Sequence, residues 1–456
     1  MKNNLALTLY GGVGSVTGAN FLLESEADNF RLLVDCGLIQ GVKNSIEENS
    51  KPFGYEPATI KVLLITHAHL DHVGRIPKLF KDGFSGVIYS TPATKEMAEL
   101  ILRDSVRILS EKAKEEGKEP MYSTEHVDAA MFAWQTVKYH TEKDIGGGFS
   151  IYMKDAGHIL GSAMIEITHS GKKVVFTGDL GNSPSPLLRD TEEVNDADYM
   201  VMESVYGDRN HEDRDQRREK FKRIVQDSIK RGGALLIPAF SIERTQILLH
   251  EINDLVESGA IPEVPVFLDS PLAIKVTRIY KDRQAQFNKG VRDEIASGDD
   301  IFNFPNLTLT ETREESKKIN NVPNPKIIIA GSGMSSGGRI IYHEERYLPD
   351  PNSTVILPGY QAVGTRGRHL DEGLKIIDIK GRKIQVKARI EKITGFSGHK
   401  DSEHLVEFVA DTKDTVKKVF VAMGETKASL FLVQRLRDYL EVDAIHPEVG
   451  KKYILE

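Results

Sequence analysis

Lys61-Val62-Leu63-Leu64-Ile65-Thr66-His67-Ala68-His69-Leu70-Asp71-His72, residues 61–72, places four ligand-type side chains in six positions directly behind an apolar run. Val62 to Thr66 is aliphatic and β-branched and reads as a buried strand. His67 and the residues after it therefore leave the carboxyl end of that strand. In an extended segment, side chains two positions apart point the same way. His67 and His69 can thus face one metal, and Asp71 and His72, past the turn, can reach a second. Imidazole and carboxylate donors suit zinc, and iron or manganese in other settings.

The same placement recurs on either side of this stretch. Asp35 follows the apolar Leu33-Val34, and Asp179 follows the strand-like run ending at Phe176, within Phe176-Thr177-Gly178-Asp179-Leu180-Gly181. His158 sits in the glycine-flanked turn Asp155-Ala156-Gly157-His158-Ile159-Leu160-Gly161-Ser162. Taken singly, His158 and Asp179 fit turn residues as well as ligands. A carboxylate can bridge two metals, which suits Asp179, and Asp35 can orient a ligand histidine through that ring's other nitrogen.

The rest of the chain alternates short strands with longer helices. Strands are predicted at Leu5 to Tyr10, Phe30 to Asp35, Val87 to Ser90 and Lys173 to Thr177, and helices at Thr94 to Lys114 and Thr124 to Val137. Glu111 to Pro120 reads as a solvated helix end and loop. Asp208 to Arg231 is predicted as a charged amphipathic helix, followed by a strand at Ala234 to Pro238 and a helix from Ser241 to Glu257. Further strands are expected at Val264 to Leu268, Lys326 to Ala330 and Thr354 to Leu357, which is the βαβ alternation of a second α/β unit.

Composition narrows the function classes. With 456 residues there is material for two or three domains, and 40% hydrophobic with 28% charged residues is an ordinary globular balance. The single cysteine, Cys36, excludes an internal disulfide and fits a reducing cytosol. No apolar run approaches the roughly 18 residues of a membrane span, and the N-terminal residues 1–12 have no signal-peptide h-region. A cytoplasmic location with no membrane partner is expected. The formal net charge of −7 argues against binding through bulk positive charge, so any polyanion site has to be local.

Taken together, Asp35, the His67–His72 stretch, His158 and Asp179 resemble, in order and context, the first four motifs of the metallo-β-lactamase superfamily. Val201 to Asp208, with Glu203, resembles the first motif of its β-CASP subfamily. Gly359 to His369 resembles the second, and Phe396 to Asp401, with His399, the third. Pro238 to Gln246 and Gly331 to Arg339 also look like parts of the β-CASP domain. The resemblance implies an αββα sandwich with an inserted α/β β-CASP domain. The first part of the sandwich is expected at residues 1–205, the insertion at 206–384 and the return at 385–456, with the site in the cleft between domains. A histidine at the third motif resembles the RNA-processing branch, as in compact bacterial endonucleases related to the nuclease subunit of the pre-mRNA cleavage factor.

The resemblance also implies a ligand set. One zinc is expected on His67, His69, His158 and a bridging Asp179, and the other on Asp71, His72, Asp179 and His399. Two zinc ions would make a hydroxide nucleophile available at neutral pH and stabilise charge on phosphate oxygens. His369 would protonate the leaving oxygen, with Glu203 orienting it; His343 is the rival but lies on a helix face. Ser332 and the backbone of its glycine-rich loop, with Arg244, Arg366 and Arg368, are candidates for phosphate contact. The expected activity is endonucleolytic cleavage of RNA, mainly single-stranded, with a homodimer suggested by family analogy alone. The alternatives are a small-molecule hydrolase of the same superfamily, which leaves the inserted domain idle, and a catalytically silent RNA-processing scaffold, which the full ligand set speaks against.

Overall fold

The computed structural model describes residues 5–41, 44–212 and 214–456. Residues 1–4 of the N-terminal segment, and residue 213 within the expected 208–231 helix, lie outside them. The described chain forms two compact units, one from the residues up to Asn210 together with His399–Glu456, the other from His211 to Gly398.

The first unit holds two seven-stranded sheets. One runs in the order Lys452–Leu455, Leu5–Gly11, Asn20–Ser25, Phe30–Val34, Val62–Leu64, Val87–Ser90 and Trp134–Thr136. The other runs Ala444–Ile445, Lys418–Val421, Tyr199–Met202, Lys172–Phe176, Ala163–His169, Phe149–Asp155 and Lys143–Gly146. Alternate residues such as Leu5, Leu7 and Leu9 meet Phe149, Ile151 and Met153 in one core between the sheets. Phe21 stacks on Phe176 at 6.0 Å and Phe30 on Phe149 at 5.4 Å across that core. Truncating Phe176 to alanine would cost roughly 3–5 kcal/mol, because these neighbours cannot close the space.

Helices cover the outer faces. Ser402–Ala410 and Thr426–Leu440 bury Leu405, Val409, Leu432 and Leu436 against Val175, Met200 and Val419 of the second sheet. Pro92–Glu116 packs on Thr124–Phe132 and on the strand Trp134–Thr136. Its start is set by Thr91, whose side chain accepts from the Thr94 amide, and its end by Gly117 at φ 65°. The architecture is the αββα sandwich.

The helix expected to run to Val137 ends at Phe132. Trp134–Thr136 instead extends the first sheet, pairing parallel to Val87–Ser90, and the Trp134 indole donates to Ser90 Oγ at 2.8 Å. Sheet pairing and a buried ring outweigh the local helical pattern there.

The second unit is built on a six-stranded sheet in the order Leu307–Leu309, Val266–Asp269, Lys326–Ala330, Ala234–Pro238, Thr354–Leu357 and Arg389–Lys392, with every pairing parallel. Ile328, Leu236 and Val355 lie in its core with Ile340 and Leu348. The helix expected from Ser241 begins at Arg244, because Glu243 takes a left-handed φ of 62°. Ile376–Ile379 and Arg382–Gln385 add a small antiparallel pair.

Candidate metal centre

Strand ends assemble the centre. Asp35 follows Phe30–Val34, His67 follows the strand Val62–Leu64 by a short extended step, Asp179 follows Lys172–Phe176 and Glu203 follows Tyr199–Met202. His158 comes from the turn between Phe149–Asp155 and Ala163–His169. The His69–Val73 turn is held against the neighbouring strand end, where the Cys36 amide donates to His72 O at 2.8 Å. Gly37 is required at this approach, since a Cβ there would fall 1.5 Å from the Asp71 carbonyl oxygen.

Three imidazoles converge. His69 Nδ1 stands 3.1 Å from His67 Nε2 and 3.2 Å from His158 Nε2. Asp179 Oδ2 lies 3.4 Å from His67 Nε2 and 3.6 Å from His158 Nε2. Its other oxygen, Oδ1, lies 3.4 Å from His72 Nε2. One carboxylate therefore spans two groups of donors. The ligating atoms of His67, His69, His158 and Asp179 form one cluster, and those of Asp179, Glu203 and His399 a second.

Two observations test whether this set fits metal ions. His72 Nε2 and Asp179 Oδ1 are buried with no hydrogen-bond partner, a condition that costs roughly 1–3 kcal/mol for each such atom. A divalent cation among these donors would satisfy both. The donor set of imidazole and carboxylate is also that of two-zinc sites. The residues fit a pair of metal ions.

The donors perturb one another strongly. Burial and the crowding of His67 and His158 push His69 well below the usual histidine range, which keeps it neutral as a ligand has to be. Burial works against charge on Asp179, but His72 and His67 beside it hold its carboxyl well below the usual range. Burial opposes a proton on His72, yet Asp179 and Asp35 outweigh it and raise that ring. Asp71 is raised, chiefly by burial, with His72 and Asp179 close enough to act on it.

Supporting partners fix the rings. Asp35 accepts from the Thr66 amide at 2.9 Å, from Thr66 Oγ1 at 2.8 Å and from His72 Nδ1 at 2.7 Å. Thr66 Oγ1 also lies 3.1 Å from His67 Nδ1. The sequence reading missed Thr66; its signal was a hydroxyl immediately before the first ligand. Glu203, expected to orient His369, has three partners within the first unit. Its carboxylate accepts from the Leu180 amide at 2.7 Å and the Val205 amide at 3.2 Å and lies 3.1 Å from His399 Nδ1. Burial alone would lower His399, but the Glu203 carboxylate outweighs it and raises the ring to about 9. The loop carrying His399 is tied in by its bridge to Gly181 and by Tyr206 pairing with Asp401.

In the second unit the strands Ala234–Pro238, Lys326–Ala330 and Thr354–Leu357 deliver their following loops to one sheet edge. There the Gly367 amide donates to Met334 O at 3.0 Å, and Arg366 donates to Ser335 O. Ser332 Oγ accepts from the Ser336 amide at 3.1 Å, which shapes the loop. Arg244 lies so close to Gly359 that a Cβ there would meet its guanidinium. Arg368 instead pairs with Glu372 at 2.7 Å along an exposed helix face. His369 is exposed on the helix Arg366–Asp371. His343 is buried and bonded to Asp269 at 2.7 Å, alongside Arg339, which makes it part of the scaffold beneath the loop.

Fold and centre together define a metallo-hydrolase of the αββα type with two metal sites. Comparison with known families agrees. Residues 22–201 match the metallo-beta-lactamase superfamily domain, 245–370 the Beta-Casp domain and 383–447 the Zn-dependent metallo-hydrolase RNA specificity domain. The chain is 34% identical over 400 residues to ribonuclease TTHA0252 of Thermus thermophilus, covering 88% of this chain and 89% of that protein. It is 31% identical over 454 residues to the transcription termination factor FttA of Methanosarcina mazei, covering 96% of this chain and 69% of that one. A protein of unknown function from Enterococcus faecalis shares the fold at a TM-score of 0.56 and 12% identity, covering 99% of this chain and 100% of that one. The chain belongs to the β-CASP branch of the metallo-β-lactamase superfamily.

Proposed function

We propose that this protein is a two-metal endoribonuclease that hydrolyses phosphodiester bonds of single-stranded RNA. The observation that carries the reading is Asp179, whose two oxygens face the His67–His69–His158 cluster and His72 respectively. His67, His69, His158 and Asp179 would hold one ion, and Asp71, His72, Asp179 and His399 the other. Bound divalent ions lower the pKa of water and neutralise charge on phosphate oxygens.

The remaining work falls to the chain itself. Asp35 holds His72 through Nδ1, leaving Nε2 as the donor turned toward Asp179. Glu203 holds His399, also through Nδ1. His369 is assigned to give a proton to the leaving ribose oxygen, a contribution typically of 10²–10⁴-fold. The Gly331–Arg339 loop, with Ser332, Arg244 and Arg366, supplies phosphate contacts at the carboxyl edge of a parallel sheet, where such ligands usually bind. Arg368, paired with Glu372, is assigned a lesser share. Among the described residues no helix is long and apolar enough to cross a membrane, and a cytoplasmic site of action fits the reduced Cys36. A homodimer is part of this reading by family analogy.

The test is digestion of end-labelled RNA with elemental analysis of the same preparation. Internal fragments and about two metals per chain are expected. A fully metallated protein that leaves RNA intact but turns over small esters would replace this reading with a small-molecule hydrolase.

A further inference from the structure

The helix Thr426–Leu440 buries Leu432, Val433 and Leu436 on the second sheet and turns a different set of residues outward. Lys427, Phe431, Arg435 and Tyr439 follow at intervals of four. Each step of four advances about 40° round the helix and about 6 Å along it, so the side chains form one slowly turning stripe. Phe431 is 49% exposed and Tyr439 68% exposed. The stripe alternates cation and ring. Arg435 lies over the Tyr439 ring at 5.3 Å, and among the described residues no carboxylate pairs with Arg435 or Lys427.

Phe431, Arg435 and Tyr439 form one wall of an open concavity of about 290 Å³, whose other residues are Asp208, Arg209, Asn210 and Ser402; Asp208 accepts from Arg209 Nε at 2.8 Å, and Lys427 lies on the helix beyond this wall. The floor is ordered. Arg435 Nη1 donates to Ser402 Oγ at 2.7 Å, and Ser402 Oγ donates to Gly207 O at 2.6 Å. Two side-chain contacts, through the buried Tyr206, separate the concavity from the metal centre. Arg209 lies 5.4 Å over the ring of Tyr206, and that ring lies 6.4 Å from the ring of His399.

We propose that this concavity is a subsite for the RNA strand beyond the cleaved link, stacking bases on Phe431 and Tyr439 and holding phosphates at Arg435 and Lys427. It rests on the reading of the chain as a ribonuclease. Rings alternating with cations are the pattern of single-strand binding, because every base has a face to stack and every link a charge. In a chain of net charge −7, this stripe supplies local positive charge in the same unit as the metals. A protein partner would favour a more continuous apolar face than one broken by Lys427 and Arg435. A second copy of the chain is the competing occupant.

The experiment measures anisotropy of a fluorescein-labelled, unstructured phosphorothioate RNA of about 20 nucleotides, read before any fragment forms. Phe431→Ala combined with Tyr439→Ala should weaken binding by roughly tenfold or more, while Phe431→Trp should keep wild-type affinity and show fluorescence quenching on titration. Equal affinity of wild type and double variant for this RNA would overturn the subsite. So would loss of a dimer in sedimentation with RNA affinity unchanged, which would give the face to a second copy. A wild type that neither binds nor cuts RNA would instead remove the ribonuclease reading itself, and the subsite with it.

Discussion

Glu203 and His399, 196 positions apart in the chain, meet with Glu203 Oε1 3.1 Å from His399 Nδ1. The carboxylate is buried at the end of Tyr199–Met202, while the imidazole arrives on a loop at the start of the C-terminal return. The pair links the two ends of the first unit at the metal centre. The same nitrogen, Nδ1, lies 4.0 Å from Asp179 Oδ2, so Glu203 fixes the ring with that edge turned to the shared carboxylate.

That pairing predicts the behaviour of Glu203→Gln. Outer partners of this kind are typically worth 10–100-fold in metal affinity or activity. The variant should lose one of its two metals to a chelator at roughly that lower concentration, and RNA cleavage should fall alongside. His399→Ala should abolish cleavage while the thermal midpoint stays near wild type. Normal cleavage by His399→Ala would remove it from the centre.

Asp179→Ala should release more metal than any other single ligand change, because it is the one residue facing both donor groups. Elemental analysis of the purified variant checks this. Full occupancy would show that the two sites do not share Asp179.

His369→Ala separates proton donation from metal chemistry. A ribose oxygen leaves poorly without a proton, whereas a nitrophenolate leaves readily. RNA cleavage should fall on the order of 10²-fold or more, with kcat on bis-(p-nitrophenyl) phosphate largely retained and both metals in place. Equal losses on the two substrates would assign His369 to phosphate positioning instead.

Glu344 carries a pH prediction for the second unit. Burial raises its carboxyl to about 7, against a hydrogen bond from Ser335, and its Oε2 has no hydrogen-bond partner. The folded state thus holds this proton more tightly than the unfolded chain. Its contribution is fully present below the unfolded value, about 4.3, and is lost as pH rises through about 7. Glu344→Gln, neutral at every pH, should raise the thermal midpoint above pH 7 by several degrees relative to wild type and change it little near pH 4. A difference that does not vary with pH would show that Glu344 is not protonated in the folded state.

Local reading went furthest where the chemistry is local. Around His67 to His72, strand ends and residue spacing follow from covalent geometry, and the spacing of two in an extended segment already aimed His67 and His69 together. Asp35 as the residue orienting a histidine was legible for the same reason: a lone carboxylate at a buried strand end needs a donor. The parallel strands at Lys326–Ala330 and Thr354–Leu357 stand where apolar runs and turn residues put them.

What tertiary structure alone decided is who meets whom. No spacing rule joins Glu203 to His399, because that meeting depends on how the C-terminal return docks beside Leu180. Trp134–Thr136 is a strand and not the tail of a helix because Ser90 and the edge of the first sheet offer it partners. Arg368 looked like its neighbour Arg366, yet one found Glu372 and the other the glycine-rich loop. The stripe on Thr426–Leu440 shows the same limit, since periodicity marks a face but only packing tells which face stays in water. Sequence carries the intrinsic chemistry of each side chain; desolvation and partner choice are properties of the folded surroundings, where the favourable pairing is the one that leaves the fewest buried polar atoms unmatched.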